Sequence, residues 1–94
     1  MQNNRSKTRI PFGSLVEIGV IKPGTEIYDK KKKINAKIMV DGSIKYQEAE
    51  GSIHKVAAKI LGAESCNGWT YWYYKSGNTL KPIDELRQRL RTNN

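Results

Sequence analysis

The chain has 94 residues, which allow one small domain and exclude a catalytic α/β domain combined with a separate substrate domain. Its 17 Lys and Arg residues against nine Asp and Glu give a formal net charge of +8, which favours a polyanionic partner such as nucleic acid. The chain has one cysteine and one histidine, which argues against a disulfide framework and a usual zinc site. It has no apolar run near the roughly 18 residues of a membrane span, which argues against a membrane protein. Together these features predict a cytoplasmic location. Residues 1–9 are polar and basic and predict a flexible tether, followed by one folded domain over residues 10–92.

The first part of the domain predicts a short helix and then a strand. Pro11 opens a helical pattern with one apolar face, and Gly19 is placed to end it. Pro23 and Gly24 have the positions of a type II turn, and residues 25–29 predict a short strand after it.

A hairpin is predicted next. Apolar residues alternate with polar ones over residues 34–40, which is the period of a half-buried strand. A two-residue turn would place the following apolar residues on the wrong face of the sheet. A three-residue loop over residues 40–42, with Gly42 left-handed, brings Ile38 opposite Ile44, so we predict a bulged hairpin.

The clearest predicted helix follows Ser52 and ends at Gly62. Its apolar stripe has helical spacing and consists of Ile53, Val56, Ala57, Ile60 and Leu61. His54, Lys55 and Lys59 lie away from this stripe, so the outer face of the helix is basic.

Aromatic residues dominate the next segment. Asn67 and Gly68 predict a turn, and residues 69–75 predict a strand. Trp69 and Trp72 have opposite parity in such a strand, so they are not expected to enter the same core. One of them is expected to be partly exposed or covered by another segment, and the parity does not say which.

A last helix is predicted with Pro82 at its first position and Asp84 and Glu85 in its first turn. Its apolar residues are Ile83, Leu86 and Leu90, and its basic residues are Arg87, Arg89 and Arg91. Together these elements predict an α+β fold: a small single domain with a three- to four-stranded antiparallel sheet and about three helices.

The sequence contains no motif for independent catalysis. It has neither a G-x-G-x-x-G nor a G-x-x-x-x-G-K motif, and its carboxylates are scattered. His54 is the only imidazole that could serve Cys66, Ser52 or Ser65 as a base, and one such coincidence is common in a chain of this length. We expect no catalytic residue, no metal site and no cofactor site in this chain.

Several features favour nucleic acid, and each has a structural alternative. Ser52 is equally well placed to cap its helix or to contact a phosphate. The run from Lys30 to Lys33 fits a solvated loop slightly better than a surface that attracts phosphates. An exposed tryptophan would stack on an unpaired base, whereas the Tyr46, Tyr71, Tyr73 and Trp72 group fits the core better.

Four segments together resemble the C-terminal DNA-binding domain of bacterial cell-cycle-regulated, GANTC-type DNA adenine-N6 methyltransferases. They are IPFGSLVEIGVIKPG (10–24), AKIMVDGSI (36–44), GSIHKVAAKILGAESCNGWTYWYYK (51–75) and LKPIDELRQRLR (80–91). The chain is also similar, more loosely, to the wider restriction-enzyme adenine-methylase-associated family, through the Asp41-Gly42 turn, the helix after Ser52 and Asn67-Gly68-Trp69.

This resemblance implies the accessory half of an enzyme. Family catalytic domains transfer a methyl group from S-adenosylmethionine to adenine N6 with an Asp-Pro-Pro-Tyr and a Phe-x-Gly-x-Gly motif, and this sequence has neither. S-adenosylmethionine is therefore expected in a separate catalytic domain of the same polypeptide. The accessory domain is expected to bind GANTC-containing DNA, to hold separated strands while the target base is flipped out, and to associate with the nucleoid. A homodimer of the parent enzyme is also possible.

The resemblance also implies contact residues. Ser52, Asn67, Trp69 and Arg87 match family positions associated with DNA contact. From side-chain chemistry we add cations that would neutralise phosphates, and His54 as a weaker candidate. The added cations are Lys55, Lys59 and Arg91.

Two other functions remain open at this point. The chain is alternatively a stand-alone reader of N6-methylated DNA, because the wider family also occurs outside methyltransferases. It is alternatively a dimerisation or interaction domain whose charge serves only solubility.

Overall fold

Six short strands and four helices make up residues 10–92, the part of the chain that this computed structural model describes. The predicted tether over residues 1–9 lies outside the described residues. The helices are α1 (Phe12–Glu17), α2 (Ile53–Leu61), α3 (Gly68–Tyr71) and α4 (Asp84–Thr92). The strands are β1 (Glu26–Tyr28), β2 (Asn35–Ile38), β3 (Ile44–Tyr46), β4 (Ala49–Gly51), β5 (Tyr73–Ser76) and β6 (Thr79–Pro82), and they form one antiparallel sheet in the order β4-β3-β2-β1-β5-β6.

The predicted α+β class agrees with this arrangement, but the three- to four-stranded sheet with about three helices is wrong. Strand β4 was missed because it has three residues and no alternating pattern; its Glu50 pairs with Lys45 of β3. Strand β6 was missed because Pro82 suggested a helix start. Pro82 instead pairs with Tyr73 at the sheet edge, where a missing N–H does not interrupt the ladder.

The β2–β3 hairpin has the predicted register. Ile38 lies opposite Ile44, Gly42 has φ 88°, and the Met39 N–H donates to the Ser43 carbonyl at 2.8 Å. A Cβ on Gly42 would lie only 2.5 Å from Gly13 Cα, so the loop backbone touches α1 directly.

Helix α2 begins and ends where the sequence predicts. The Ser52 hydroxyl accepts a hydrogen bond from the Lys55 N–H at 3.0 Å, and Gly62 ends the helix with φ 70°. The start of the apolar stripe is buried, whereas Leu61 at its end is 57% exposed.

The segment after α2 differs most from the prediction. Only Tyr73–Ser76 forms a strand, because the Asn67 side chain accepts from the Trp69 N–H at 3.0 Å and caps the helical turn α3. Strand parity therefore does not apply, and both tryptophans enter the core, Trp69 being 5% and Trp72 0% exposed. The expectation that the two tryptophans would not share one core is wrong.

One core joins the helices to one face of the sheet. It comprises Phe12, Leu15, Ile21, Ile27, Ala36, Ile38, Ile44, Ile53, Val56, Ala57, Trp69, Trp72, Ile83 and Leu86. Among residues 10–92, no helix combines the length and the apolar character needed to cross a membrane.

Candidate nucleic-acid interface

A cleft of about 720 Å³ opens on the helical side of the protein, where the start of α1, the β2–β3 loop, the start of α2, α3 and α4 meet. We name it the Trp69 cleft. Its lining residues are Ile10, Pro11, Phe12, Gly13, Gly42, Ser52, Ile53, His54, Asn67, Trp69 and Arg87. A cleft of this size is in the range of pockets that hold a small organic group, about 300–1,000 Å³.

Trp69 and Arg87 form an aromatic and cationic wall of this cleft. The guanidinium carbon of Arg87 lies 4.4 Å from the centre of the Trp69 ring, which is a cation–π contact. The Phe12 ring meets the same indole edge-on, with ring centres 5.9 Å apart and planes inclined at 65°. Since Arg87 covers one indole face, a group entering the cleft reaches the guanidinium before that face of the ring.

A carboxylate partly neutralises Arg87. Its Nη2 lies 2.5 Å from Asp84 Oδ1 on the same helix, and only 20% of the Arg87 side chain is exposed. The Arg87 Nε is buried and has no hydrogen-bond partner among the described residues. The pair fixes the guanidinium beside Trp69, but an incoming phosphate would compete with Asp84.

The turn before Trp69 is fixed against the start of α2. The Gly68 N–H donates to Nδ1 of His54 at 2.8 Å, so that nitrogen carries no proton in this geometry. A Cβ on Gly68 would lie 2.5 Å from the Ile53 carbonyl carbon, and the Trp72 Nε1–H donates to the Ile53 carbonyl oxygen at 3.0 Å. These contacts hold the turn that carries Asn67 and Trp69 against the start of α2, at one end of the cleft.

The polar residues of the cleft lie at its rim. Ser52, His54 and Asn67 are exposed, and the first two belong to the start of α2. The N-terminus of a helix carries partial positive charge, so this rim favours an anion. Within residues 10–92, the lining of the cleft contains Arg87 and His54 and no carboxylate.

A second, shallower groove of about 450 Å³ adjoins this rim and shares Ser52 and His54 with the cleft. We name it the lysine groove, because Lys55 and Lys59 line it. In the part of the chain that the structure describes, no three His, Cys, Asp or Glu side chains come together as a metal site would need.

A family model for restriction enzyme adenine methylase associated (RAMA) domains matches residues 1–94. The chain belongs to the RAMA family. This RAMA domain is 33% identical over 79 residues to the type II methyltransferase M.HinfI of Haemophilus influenzae. The match covers 84% of this chain and 22% of that relative, so the chain spans about a fifth of the length of the curated relative it matches.

The RAMA domain brings five of the eight predicted contact residues into one cleft. These five are Ser52, His54, Asn67, Trp69 and Arg87. Lys55 and Lys59 line the adjoining groove, whereas Arg91 lies one turn beyond Arg87 on α4 and outside the cleft lining. The loop over residues 30–33 lies between β1 and β2 and lines neither of the two.

One wall of the cleft was not predicted as part of a site. Phe12, Gly13 and Gly42 supply it, with Ile10 and Pro11 beside them. The sequence predicted no binding role for Phe12, and it predicted Gly42 only as the left-handed residue of a turn. The close approach of Gly13 and Gly42 joins segments far apart in sequence, and a glycine in each of them was the one available indication.

Proposed function

We propose that this RAMA domain binds DNA as the accessory domain of an adenine-N6 DNA methyltransferase with GANTC-type specificity. The Trp69 cleft and the lysine groove would contact the backbone and a strand separated from its complement. The domain does not transfer methyl groups itself. A catalytic domain of the same polypeptide, outside this sequence, would hold S-adenosylmethionine and supply the methyl group.

The convergence of Ser52, Asn67, Trp69 and Arg87 carries this proposal. They come from three separate parts of the chain, yet they line one cleft with a cation and an aromatic ring in contact. Arginine and hydroxyl groups are common partners of phosphate, and amides bind base edges or backbone. The adjoining lysine groove contributes Lys55 and Lys59 against one carboxylate, Glu64, so it adds net positive charge beside the cleft rim.

Each group has a distinct role in the proposed complex. Arg87 would exchange Asp84 for a phosphate and keep its contact with Trp69. The Ser52 hydroxyl accepts from its own helix through a lone pair, so its proton remains available to a phosphate oxygen. The side-chain oxygen Oδ1 of Asn67 caps α3, which leaves the N–H groups of its side-chain amide for a base edge or a sugar.

A fluorescence-anisotropy titration of the chain tests the proposal. The probes are duplex, single-stranded and bubble DNA carrying GANTC, and the same duplex with N6-methyladenine, each at low and physiological salt. We expect bubble and single-stranded DNA to bind best, with a slope of log K against log salt of about −3 to −5 if roughly four to six phosphates are contacted. Tight binding that requires the methylated duplex would instead identify a reader, and self-association with no DNA binding at any salt would identify an interaction domain.

A further inference from the structure

Among the residues that the structure describes, no helix covers the second face of the sheet. In β1, Ile27 is fully buried, so its neighbour Tyr28 points to the other side. At the other end of the sheet, Tyr74 and Lys81 both reach Glu85 of α4, at 2.9 and 3.8 Å. Their neighbours on β5 and β6 therefore point away from the helices.

We name this the open face. Its residues on the six strands, assigned by alternation with the core and by strand register, are Glu26, Tyr28, Asn35, Lys37, Lys45, Glu50, Tyr73, Lys75, Leu80 and Pro82. The Trp69 cleft lies on the helical side, so the two surfaces do not share a residue.

Two tyrosines occupy paired positions on neighbouring strands of the open face. Tyr28 is the register partner of Tyr73 across β1 and β5, and both side chains are half-buried. Directly paired residues have Cβ atoms about 4.5–5.5 Å apart, so the two rings extend from neighbouring positions on the same face. Neither ring has a role in the core or in the Trp69 cleft.

Positive charge is concentrated at this tyrosine pair. The Lys32 amine lies 5.4 Å from the centre of the Tyr28 ring, and Lys75 is two residues after Tyr73 on the same face. Among residues 10–92, neither lysine forms a salt bridge.

Charges elsewhere on the open face compensate one another. A row across four strands reads Glu26, Lys37, Lys45, Glu50 in register. Two carboxylates and two amines leave that row neutral. Lys75 is therefore the cation of the face that this row does not compensate, and Lys32 adds a second one from the loop beside it.

We propose that the open face binds a second stretch of unpaired nucleic-acid strand, with bases stacked on Tyr28 and Tyr73 and phosphates contacted by Lys32 and Lys75. Aromatic rings on neighbouring strands of an uncovered sheet suit successive unpaired bases, because every base offers a π face. A duplex does not expose base faces, so the surface selects an unpaired strand. The apolar area beside the rings is confined to Leu80 and Pro82, which is small for a stable protein interface.

Nuclear magnetic resonance tests this without a mutation. We expect a short oligothymidine, added at low salt to the ¹⁵N-labelled chain, to shift the amide signals of β1 and β5. Shifts confined to Ser52 and residues 67–69 would overturn the proposal and leave the Trp69 cleft as the binding site. Absence of any shift would also overturn it. Shifts of β1 and β5 that follow the protein concentration alone would overturn it too, because they would show a contact between copies of the chain.

Paired variants test the chemistry. We expect Tyr28→Leu with Tyr73→Leu to weaken oligothymidine binding at least about fivefold, since one base–aromatic stack contributes about 1–3 kcal/mol, while the two Tyr→Phe changes leave it within about twofold. Lys75→Gln should flatten the salt slope by about 0.7, and Lys22→Gln, an exposed control outside the sheet, should not. Unchanged oligothymidine binding by the Leu variant overturns the proposal. Because Arg87→Ala tests bubble DNA binding by the cleft separately, failure of one surface is distinguishable from failure of the other.

Discussion

Arg87 and Trp69 are held in contact at 4.4 Å, and Asp84 approaches the same guanidinium from the side. The arginine therefore has a structural role and an exposed edge at once. Its ion pair with Asp84 is mostly buried, with 20% and 27% of the two side chains exposed, so the loss of solvation offsets much of the attraction and the pair adds little net stability. The contact with Trp69 instead orients the guanidinium towards the cleft, where a phosphate would bind.

Replacement of Arg87 should weaken DNA binding more than it weakens the fold. Hydrogen bonds to charged groups contribute about 1.5–3 kcal/mol, so we expect Arg87→Ala to lower bubble DNA affinity roughly ten- to a hundredfold. Arg89→Ala is the matched control, because it removes the same charge from α4 on a side chain that is 60% exposed and outside the cleft. Anisotropy measures affinity, and thermal unfolding checks the fold; equal losses in both variants would reduce the role of Arg87 to net charge.

Trp69 should prove to be a core residue first. Trp69 is 5% exposed and packs on Phe12. Trp69→Ala should therefore lower the free energy of unfolding by about 3–5 kcal/mol, which is a large part of the stability of a small domain. Trp69→Phe keeps a ring for Arg87 and should cost less. Urea unfolding followed by circular dichroism measures both, and a fully stable Trp69→Ala variant would contradict the packing described above.

Elements with a strong local pattern were predictable. The alternation over residues 34–38 and the left-handed Gly42 leave one hairpin register, and Ile38 does pair with Ile44. Strands β4 and β6 were not predictable, because three or four residues gain their order from neighbouring strands rather than from their own periodicity. Asn67 capping overrode the strand preference of the aromatic residues after it.

The candidate site was only partly predictable for the same reason. Resemblance to a known domain named Ser52, Asn67, Trp69 and Arg87, and the fold places them around one cleft. The wall containing Phe12 comes from the other end of the chain. Such a wall depends on tertiary packing, which no local pattern encodes.

A side chain at Gly68 should destabilise the fold. Its Cβ would lie 2.5 Å from the Ile53 carbonyl carbon, so Gly68→Ala has to displace the turn and lengthen the hydrogen bond to His54. We expect a loss of about 1–3 kcal/mol, the usual range for overpacking. Gly13→Ala is the control, because its Cβ meets nothing nearer than 3.7 Å and it lies in α1. Denaturant titration should rank Gly68→Ala well below Gly13→Ala, and the reverse order would refute the close contact.

Tyr74 should make stability fall at alkaline pH. Burial, and then its hydrogen bond to Glu85, raise the pKa of the Tyr74 phenol above 10.0. Below pH 10.0 both the folded and the unfolded chain keep the phenol proton, so the contribution of Tyr74 to the free energy of unfolding is fully present. Above it the unfolded chain ionises first, and the contribution is lost as the pH rises through the folded pKa.

The variant for this prediction is Tyr74→Phe, which removes the titrating group and the hydrogen bond. Free energies of unfolding are measured in urea at neutral pH and above pH 10.0. We expect the wild-type value to decrease more steeply than that of the variant. Parallel curves would mean that Tyr74 ionises alike in both states.

Ser52 separates helix capping from DNA contact. Its hydroxyl accepts from the Lys55 N–H, and Asp or Asn accept equally well at this position, so neither substitution should destabilise α2. An aspartate is further favoured by the helix dipole, by about 0.3–1 kcal/mol. At the rim of the Trp69 cleft, however, the same carboxylate would repel a phosphate. We therefore expect Ser52→Asp to be as stable as wild type and to bind bubble DNA at least about fivefold more weakly, a difference of ~1 kcal/mol.

Ser52→Asn is the control, because it keeps the helix cap without adding a charge. It should match wild type in both urea unfolding and anisotropy. If Ser52→Asp bound DNA as tightly as Ser52→Asn, the hydroxyl would serve the helix alone and the phosphate would lie elsewhere in the cleft.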